Sequence, residues 1–393
     1  MRRMKKLVRI GCFFVNMILA YICALIIKIC NPNMKNIWII SERGIDARDN
    51  GYFFYKYMVE NHPEQQIWYV IDSKSADASK VQALGKWIEF ESFKHYLYYA
   101  LAKVRISSSM WGGDLPKADY FKKIRKYIGR KKKFVFLKHG IIKDYLPQHC
   151  YGEGFPDIYV CGAKPEYEYV KSTFCYPEGV VKYLGLARFD NLHNREAKQQ
   201  ILFMPTFRKW LPKMTHEEIA DSQYVKAWND AINDERLIKI LENSNLELIF
   251  YPHIVMQKCV DLFESKSNRI KIAKFSDYDV QTLLIESKLL VTDFSSVFFD
   301  FGYMEKPVIY YQFDRERYIK EHYDFTKGYF SYDNDGFGDV VTNIDGLVLA
   351  LREAIKDELE INDKYKQRIN DFFPLKDARN CERIYNSILE QFM

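Results

Sequence analysis

At 393 residues the chain is too long for one ordinary hydrophobic core, so about two domains are expected. Its 48% hydrophobic and 28% charged residues are the composition of a folded globular protein, which excludes a disordered or fibrous one, and the net charge of +6 is modest. Eight scattered cysteines, with no CxxC pair and no nearby histidine at zinc spacing, exclude a structural zinc site and argue for a reducing compartment.

The first element is an apolar run from Ile10 to Ile27, IGCFFVNMILAYICALII, flanked by Arg2, Arg3, Lys5, Lys6 and Arg9. Its length is at the lower edge of what spans a bilayer, and no small-x-small cleavage site follows it. A spanning helix would place the remaining chain outside the cell by the positive-inside rule, against the reduced cysteines. The expectation is a helix lying in the cytoplasmic leaflet, so that residues 1–35 form a membrane-associated segment, peripheral or monotopic, with a buried helix and a cleaved signal peptide as the alternatives. A second basic stretch, ADYFKKIRKYIGRKKK, repeats the theme: Tyr120, Phe121, Ile124, Tyr127 and Ile128 recur at three- and four-residue steps and basic residues fill the other face. An anionic membrane surface is the expected partner, and nucleic acid is not, although charge alone does not separate the two.

From residue 36 onward short β-branched runs alternate with helical patterns. NIWIISERG, QIWYVID, KVRISSS, KFVFLKHG, DIYVCGA and VVKYLGLA read as buried parallel strands with crossover helices. The apolar rhythm breaks at NLHNREAKQQ, Asn191 to Gln200, and restarts with QQILFMPTFR, LELIFYPH, RIKIAKF, SKLLVTDFSS and KPVIYYQFD, with a helix through Val280 to Glu286. The expected fold class is therefore α/β, with two Rossmann-like domains facing a cleft: a first over 36–195 and a second over 196–393. The segment from Gly346 to Met393 reads as helical and closes the molecule, with a return to the first domain left open.

Ligands of open parallel sheets bind beyond the carboxyl ends of the strands. That rule selects Lys138, His139 and Gly140, then Arg188, Thr206, Arg208 and His253, and finally Asp293, Ser295 and Ser296. Histidines, arginines and a Ser-Ser pair suit an anion, and a phosphate-bearing ligand is the economical reading. Ser295 and Ser296 would sit at the start of a helix through Val297 to Tyr303, where backbone N–H groups are unspent; the plainer alternative is that Asp293 or Ser295 is only an N-cap. His139 suits a general base near neutral pH and His253 a donor to a transferring phosphoryl group. Arg208 is either a forked phosphate ligand or a structural ion-pair partner.

Seven pieces stand in order between residues 100 and 345: LKHGIIKD, GLARFDNL, FMPTFR, FYPHIVMQ, TDFSS, KPVIYY followed by QFDRERY, and YDFTKGYFSYD. Together they resemble the CDP-glycerol glycerophosphotransferases, the teichoic-acid primases and polymerases of Gram-positive bacteria. The resemblance implies a GT-B architecture whose second domain binds the CDP-polyol, and a reaction that moves glycerol phosphate from CDP-glycerol, or ribitol phosphate from CDP-ribitol, to an acceptor hydroxyl with release of CMP. The acceptor so implied is a lipid-linked polyol phosphate or glycan of a teichoic-acid-like or capsular polymer. By motif, His139 matches the family's base, Arg208 and His253 its donor-phosphate contacts, and Asp293, Ser295 and Ser296 its phosphate and glycerol site; Thr206 and Arg188 join the substrate-binding set. No cofactor and no metal site are expected, although magnesium is compatible with a diphosphate. The chain departs from the family pattern where HGTPLK is HGIIKD, where GYPR is GLAR, and where a GPxx run is GFGDVV. A nucleotide-sugar GT-B glycosyltransferase and a membrane-bound scaffold are the competing readings.

Overall fold

The computed structural model describes residues 2–124, 132–152, 155–193, 196–322 and 327–393. Much of the second basic stretch, Tyr127 and Ile128 included, lies outside the described residues, as do the YDFT of the late tyrosine motif and Asn194 and Arg195 in the expected domain boundary. The chain forms two compact units, one of residues 1–141, 146–191 and 375–393, the other of residues 142–145 and 192–374.

The first unit is built on a seven-stranded sheet of β1 (Trp38–Ser41), β2 (Ile67–Ile71), β3 (Trp87–Glu89), β4 (Val104–Ser107), β5 (Lys133–Phe136), β6 (Ile158–Cys161) and β7 (Val181–Tyr183), in the order β3-β2-β1-β4-β5-β6-β7. Every pair is parallel, with Ile39 opposite Trp68 on one side of β1 and Arg105 on the other. The second unit holds β8 (Gln200–Phe203), β9 (Glu247–Phe250), β10 (Ile270–Ile272), β11 (Leu289–Thr292), β12 (Val308–Tyr311) and β13 (Gly338–Val341), in the order β10-β9-β8-β11-β12-β13 and again all parallel. The central strands β1, β4, β8, β11 and β12 are buried along their whole length. Helices cover both faces of such strands, which is why they read as continuous apolar runs.

The expected strands all form. Two more, β3 and β13, lie at sheet edges. β13 is the GDVV of the departing GFGDVV run, and its glycine has a packing reason: a Cβ on Gly338 would meet the carbonyl oxygen of Val308 at 1.6 Å.

The N-terminal helix, Arg2–Cys30, packs as part of the first unit rather than as a separate segment. Phe13, Met17, Ala20 and Ala24 are buried in one cluster with Ile37, Ile39, Tyr96, Tyr99 and Leu101. Val8, Phe14, Ile18, Ile22, Leu25 and Ile29, on the other side, are exposed.

The expected second domain ends early. Helix Asn380–Phe392 belongs to the first unit, where Cys381, Ile384, Ile388 and Phe392 share a core with Trp38, Ile40, Phe54 and Tyr55. Asp190 receives the N–H groups of Asn380 at 2.9 Å and Cys381 at 2.8 Å, which caps that helix. Gly185 of the GLAR turn has φ +82, and a Cβ there would strike Asn380 Oδ1 at 1.8 Å, so only glycine admits the returning helix.

Candidate active site

In the first unit the strand order reverses between β1 and β4, and the loop after β1 carries Glu42 and Asp49. Glu42 is 3% exposed. Its carboxyl accepts the backbone N–H of Asp49 at 2.8 Å, of Tyr52 at 3.0 Å and of Arg48 at 3.0 Å. Burial, and then the neighbouring Asp49 charge, push it up to about 7.

Asp49 stands at the N-cap of helix Asn50–Asn61 but makes no side-chain cap hydrogen bond. Its Oδ2 accepts from His139 Nδ1 at 2.5 Å, and its Oδ1 from Arg188 Nη1 at 3.1 Å. Burial alone would raise this carboxyl, but the charges and hydrogen bonds of His139, with Arg188 beside them, hold it below its ordinary value. Reciprocally, the Asp49 charge raises His139, whose side chain is 91% exposed. Arg188 Nη1 also donates to the His139 carbonyl at 2.5 Å. Asn50 ties the loops together, donating to the Lys138 carbonyl at 2.9 Å and accepting the Arg188 N–H at 3.0 Å.

Lys138 itself is fully buried and pairs with Glu166, whose other oxygen takes the Gly162 N–H at 2.7 Å. It stands at a strand end but points into the core, which removes it from the anion-binding set.

In the second unit the order reverses between β8 and β11, and Thr206 and Asp293 follow those strands. Here two of the expected groups are bonded to each other. Arg208 is 0% exposed: Nε and Nη2 donate to Asp314 at 2.7 and 2.8 Å, and Nη1 to Asp293 at 2.8 Å and to the Thr206 carbonyl at 2.7 Å. Asp293, also 0% exposed, spends its other oxygen on the N–H groups of Thr206 and Phe294. Buried and bonded through Nε, Nη1 and Nη2, Arg208 stands here as an ion-pair partner of Asp293 and Asp314 rather than as an exposed phosphate ligand.

Three expected groups keep polar atoms available. Among the described residues the hydroxyls of half-buried Ser295 and exposed Ser296 make no hydrogen bond, and Thr206 Oγ1 is buried without a partner. The helix after the serines is shorter than expected, Phe298–Tyr303, with Val297 at its N-cap and no side-chain cap. Neither Asp293 nor Ser295 caps it. Asp300 lies buried within it, 3% exposed.

His253 accepts the Val255 N–H on Nδ1 at 3.2 Å, so in the neutral ring the proton sits on Nε2. Phe207 lies against it with centroids 4.8 Å apart, and on Phe207's other neighbour, His322, burial pushes the imidazole down to about 3.

Within the first unit, then, His139 and Arg188 meet through Asp49; within the second, Thr206, Arg208 and Asp293 form one cluster. Sequence reasoning missed Glu42, Asp49, Asn50 and Asp314. A signal existed for Asp49 and Asn50: RDNGYFF follows a buried strand and opens an aromatic helix, which is helix-start chemistry beside a switch point.

A family model described as CDP-glycerol:poly(glycerophosphate) glycerophosphotransferase matches residues 23–390. The minor teichoic acid biosynthesis protein GgaB of Bacillus subtilis (strain 168) is 33% identical over 378 residues, 91% of this chain and 40% of that protein. A teichoic acid poly(glycerol phosphate) polymerase of Staphylococcus epidermidis (strain RP62A) is 22% identical over 87% of this chain and 48% of its own length, so the chain spans less than half of each of these two relatives. The teichoic acid glycerol-phosphate transferase of Staphylococcus aureus (strain NCTC 8325) is 25% identical over 91% of this chain and 94% of its own. Among solved structures, a variant of the wall teichoic acid polymerase TagF has the same fold, with a TM-score of 0.66 at 18% identity over 96% of this chain and 100% of that one. A putative UDP-N-acetylglucosamine 2-epimerase from Listeria monocytogenes shares it at 0.56 and 13% identity, covering 91% and 97%. The two sheets are thus GT-B-like, a frame that hosts more than one chemistry. It is the family model, running almost from end to end, that decides: the chain belongs to the CDP-glycerol:poly(glycerophosphate) glycerophosphotransferase family.

Proposed function

We propose that the chain transfers glycerol phosphate, or a related polyol phosphate, from CDP-glycerol or CDP-ribitol to a hydroxyl of a lipid-linked or growing teichoic-acid-like or capsular polymer. The observation that carries the reading is the exposed imidazole of His139 bound through Nδ1 to a carboxylate, which leaves Nε2 to take a proton. As the acceptor oxygen bonds to the phosphorus that bears the polyol, the bond from that phosphorus to the CMP oxygen breaks. The hydroxyl proton goes to His139 Nε2 and the electron pair leaves with CMP. His253 Nε2–H and the hydroxyls of Ser295, Ser296 and Thr206 are the donors proposed for the phosphate oxygens, and phosphoryl transfer asks chiefly for such positioning. Arg188 acts through the first unit, bracing Asp49 and the His139 backbone.

The apolar N-terminal helix fits the same reading. Val8–Cys30 is long and apolar enough to cross a membrane. Because one stripe is packed on the first unit, the proposal is that the helix lies in the cytoplasmic leaflet with its exposed stripe in the lipid, bringing the enzyme to a lipid-linked acceptor.

The test is incubation of the full chain with CDP-glycerol, CDP-ribitol or UDP-sugars and a lipid-linked acceptor, read by nucleotide release and product mass. CMP release with one polyol-phosphate mass added is expected, and Ser295→Ala with Ser296→Ala should slow it about 10²-fold or more. UDP release with no CMP from either CDP-polyol sinks the reading.

A further inference from the structure

The carboxylate that His139 meets, Asp49, takes no part in the bond-making and bond-breaking steps, and its placement is unusual. Asp49 occupies an N-cap position without capping, and both of its oxygens instead serve His139 and Arg188. The capping work on that loop falls to Glu42, which accepts the N–H groups of Arg48, Asp49 and Tyr52. A carboxylate placed only to start a helix would bond the helix; this one is turned away from it.

We propose that Asp49 is a positioning residue that holds His139 in the tautomer and orientation of a base, and that Glu42 holds Asp49 in place. The proposal rests on the reading of His139 as the base and adds how that base is made ready.

A carboxylate only accepts hydrogen bonds, so the imidazole nitrogen facing it carries the proton. A neutral ring has one such proton. Nδ1 therefore holds it, and Nε2 keeps the lone pair, on a ring that is 91% exposed. The division of labour is that of a base oriented by a third group.

The backbone is arranged to the same end. Lys138 adopts φ +61 although it is not glycine. Non-glycine residues take that conformation at a cost and keep it where the surroundings over-determine it. Here the Lys138 ammonium is locked to buried Glu166 and its carbonyl to Asn50 Nδ2. The next residue, His139, is thereby turned out of the core toward Asp49.

The charged groups facing His139 are Asp49 and Glu42 from the loop after β1 and Arg188 from the turn after β7. Asp49 raises the imidazole above 6.5 and Arg188 opposes it. A base works when deprotonated, so the acid limb of kcat is expected to follow this group, which Asp49 raises above the ordinary histidine value. Removing the Asp49 charge while Arg188 stays moves the limb to lower pH.

The experiment compares the full chain with Asp49→Asn, Glu42→Gln and His139→Ala, measuring kcat, the KM for CDP-glycerol and the pH profile, with nitrogen-15 imidazole NMR of His139. Asp49→Asn is expected to lower kcat about 10²- to 10⁴-fold with the donor KM little changed, to move the acid limb down, and to abolish the fixed Nδ1–H signal. Glu42→Gln should shift the same readouts in the same direction by less. If His139→Ala retains CMP release, the base reading itself fails. If His139→Ala abolishes release while Asp49→Asn keeps both kcat and the acid limb, only the positioning proposal falls. Should Asp49→Asn not fold, the unaltered protein decides: a neutral His139 that carries its proton on Nδ1 supports the proposal, and one that carries it on Nε2 overturns it.

Discussion

Arg208 gives Nε and Nη2 to Asp314 and Nη1 to Asp293 and the Thr206 carbonyl, with no surface left in contact with solvent. The rings of Phe294, Tyr318 and Tyr224 lie within 5.3 Å of its guanidinium. Burying three charged groups is costly, and their mutual bonds offset that cost only while all three are present. Arg208→Ala strands two carboxylates in an apolar shell, so it should lower stability by about 3–5 kcal/mol. Urea unfolding checks this. A variant that unfolds like the unaltered protein while its KM for CDP-glycerol rises sharply would return Arg208 to the donor phosphates. Nothing in the string FMPTFR distinguishes these roles, because an arginine after a strand can be spent or unspent. What decides is Asp293, 85 residues away, and Asp314, 106 residues away, which only the β8-β11-β12 order brings to it. Asp49 was hidden for the same reason, 90 residues before the histidine it holds.

At the scale of elements, a buried parallel strand writes itself plainly as an apolar run, and the edge strands β3 and β13 do not. β13 opens with Gly338 and Asp339, poor strand formers that an edge tolerates, and β3 is three residues long. An all-apolar helix hides something else, namely which side is packed. In IGCFFVNMILAYICALII no polar face marks the outside. The fold chooses Phe13, Met17, Ala20 and Ala24, at steps of about one turn, and the two alanines let the helix approach Phe93–Leu101 closely. Each side of the helix then makes its own prediction. Phe13, 2% exposed, sits edge-on to Tyr120 and Phe121 at 5.3 and 5.5 Å, and Phe13→Ala should lower stability by about 3–5 kcal/mol without changing flotation on phosphatidylglycerol vesicles. Ile18→Ser, Ile22→Ser and Leu25→Ser together, at positions 59%, 51% and 63% exposed, should leave the melting transition in place and abolish flotation. A triple variant that floats like the unaltered protein would rule out the in-leaflet placement.

For the whole molecule, what matters is that the chain returns to where it began. The first unit is not complete at residue 191: Cys381, Ile384, Ile388 and Phe392 fill its core, and Asn380 and Cys381 take their N-terminal cap from Asp190. Burying one large apolar side chain stabilises by about 1.5–3 kcal/mol, so the three large ones in helix Asn380–Phe392 contribute about 5–9 kcal/mol before entropy is subtracted. That sum is comparable to the total stability of a domain, about 5–15 kcal/mol. The second unit has its own core, centred on Trp228, Phe203, Phe250 and Leu289, and contains no residue beyond Pro374. Deleting residues 375–393 should therefore act on one unit and spare the other. Hydrogen exchange read by mass spectrometry is the measurement: amides of β1, β4 and β6 should lose protection while those of β8, β11 and β12 keep it. His139 and Asp49 sit on loops of the unit that loosens, so transfer should be lost although the second unit, with Thr206, Ser295 and Ser296, remains folded. Protection retained in β1, β4 and β6 would mean that the first unit holds its core without the returning helix, and uniform loss across both sheets would mean that the two units do not unfold separately.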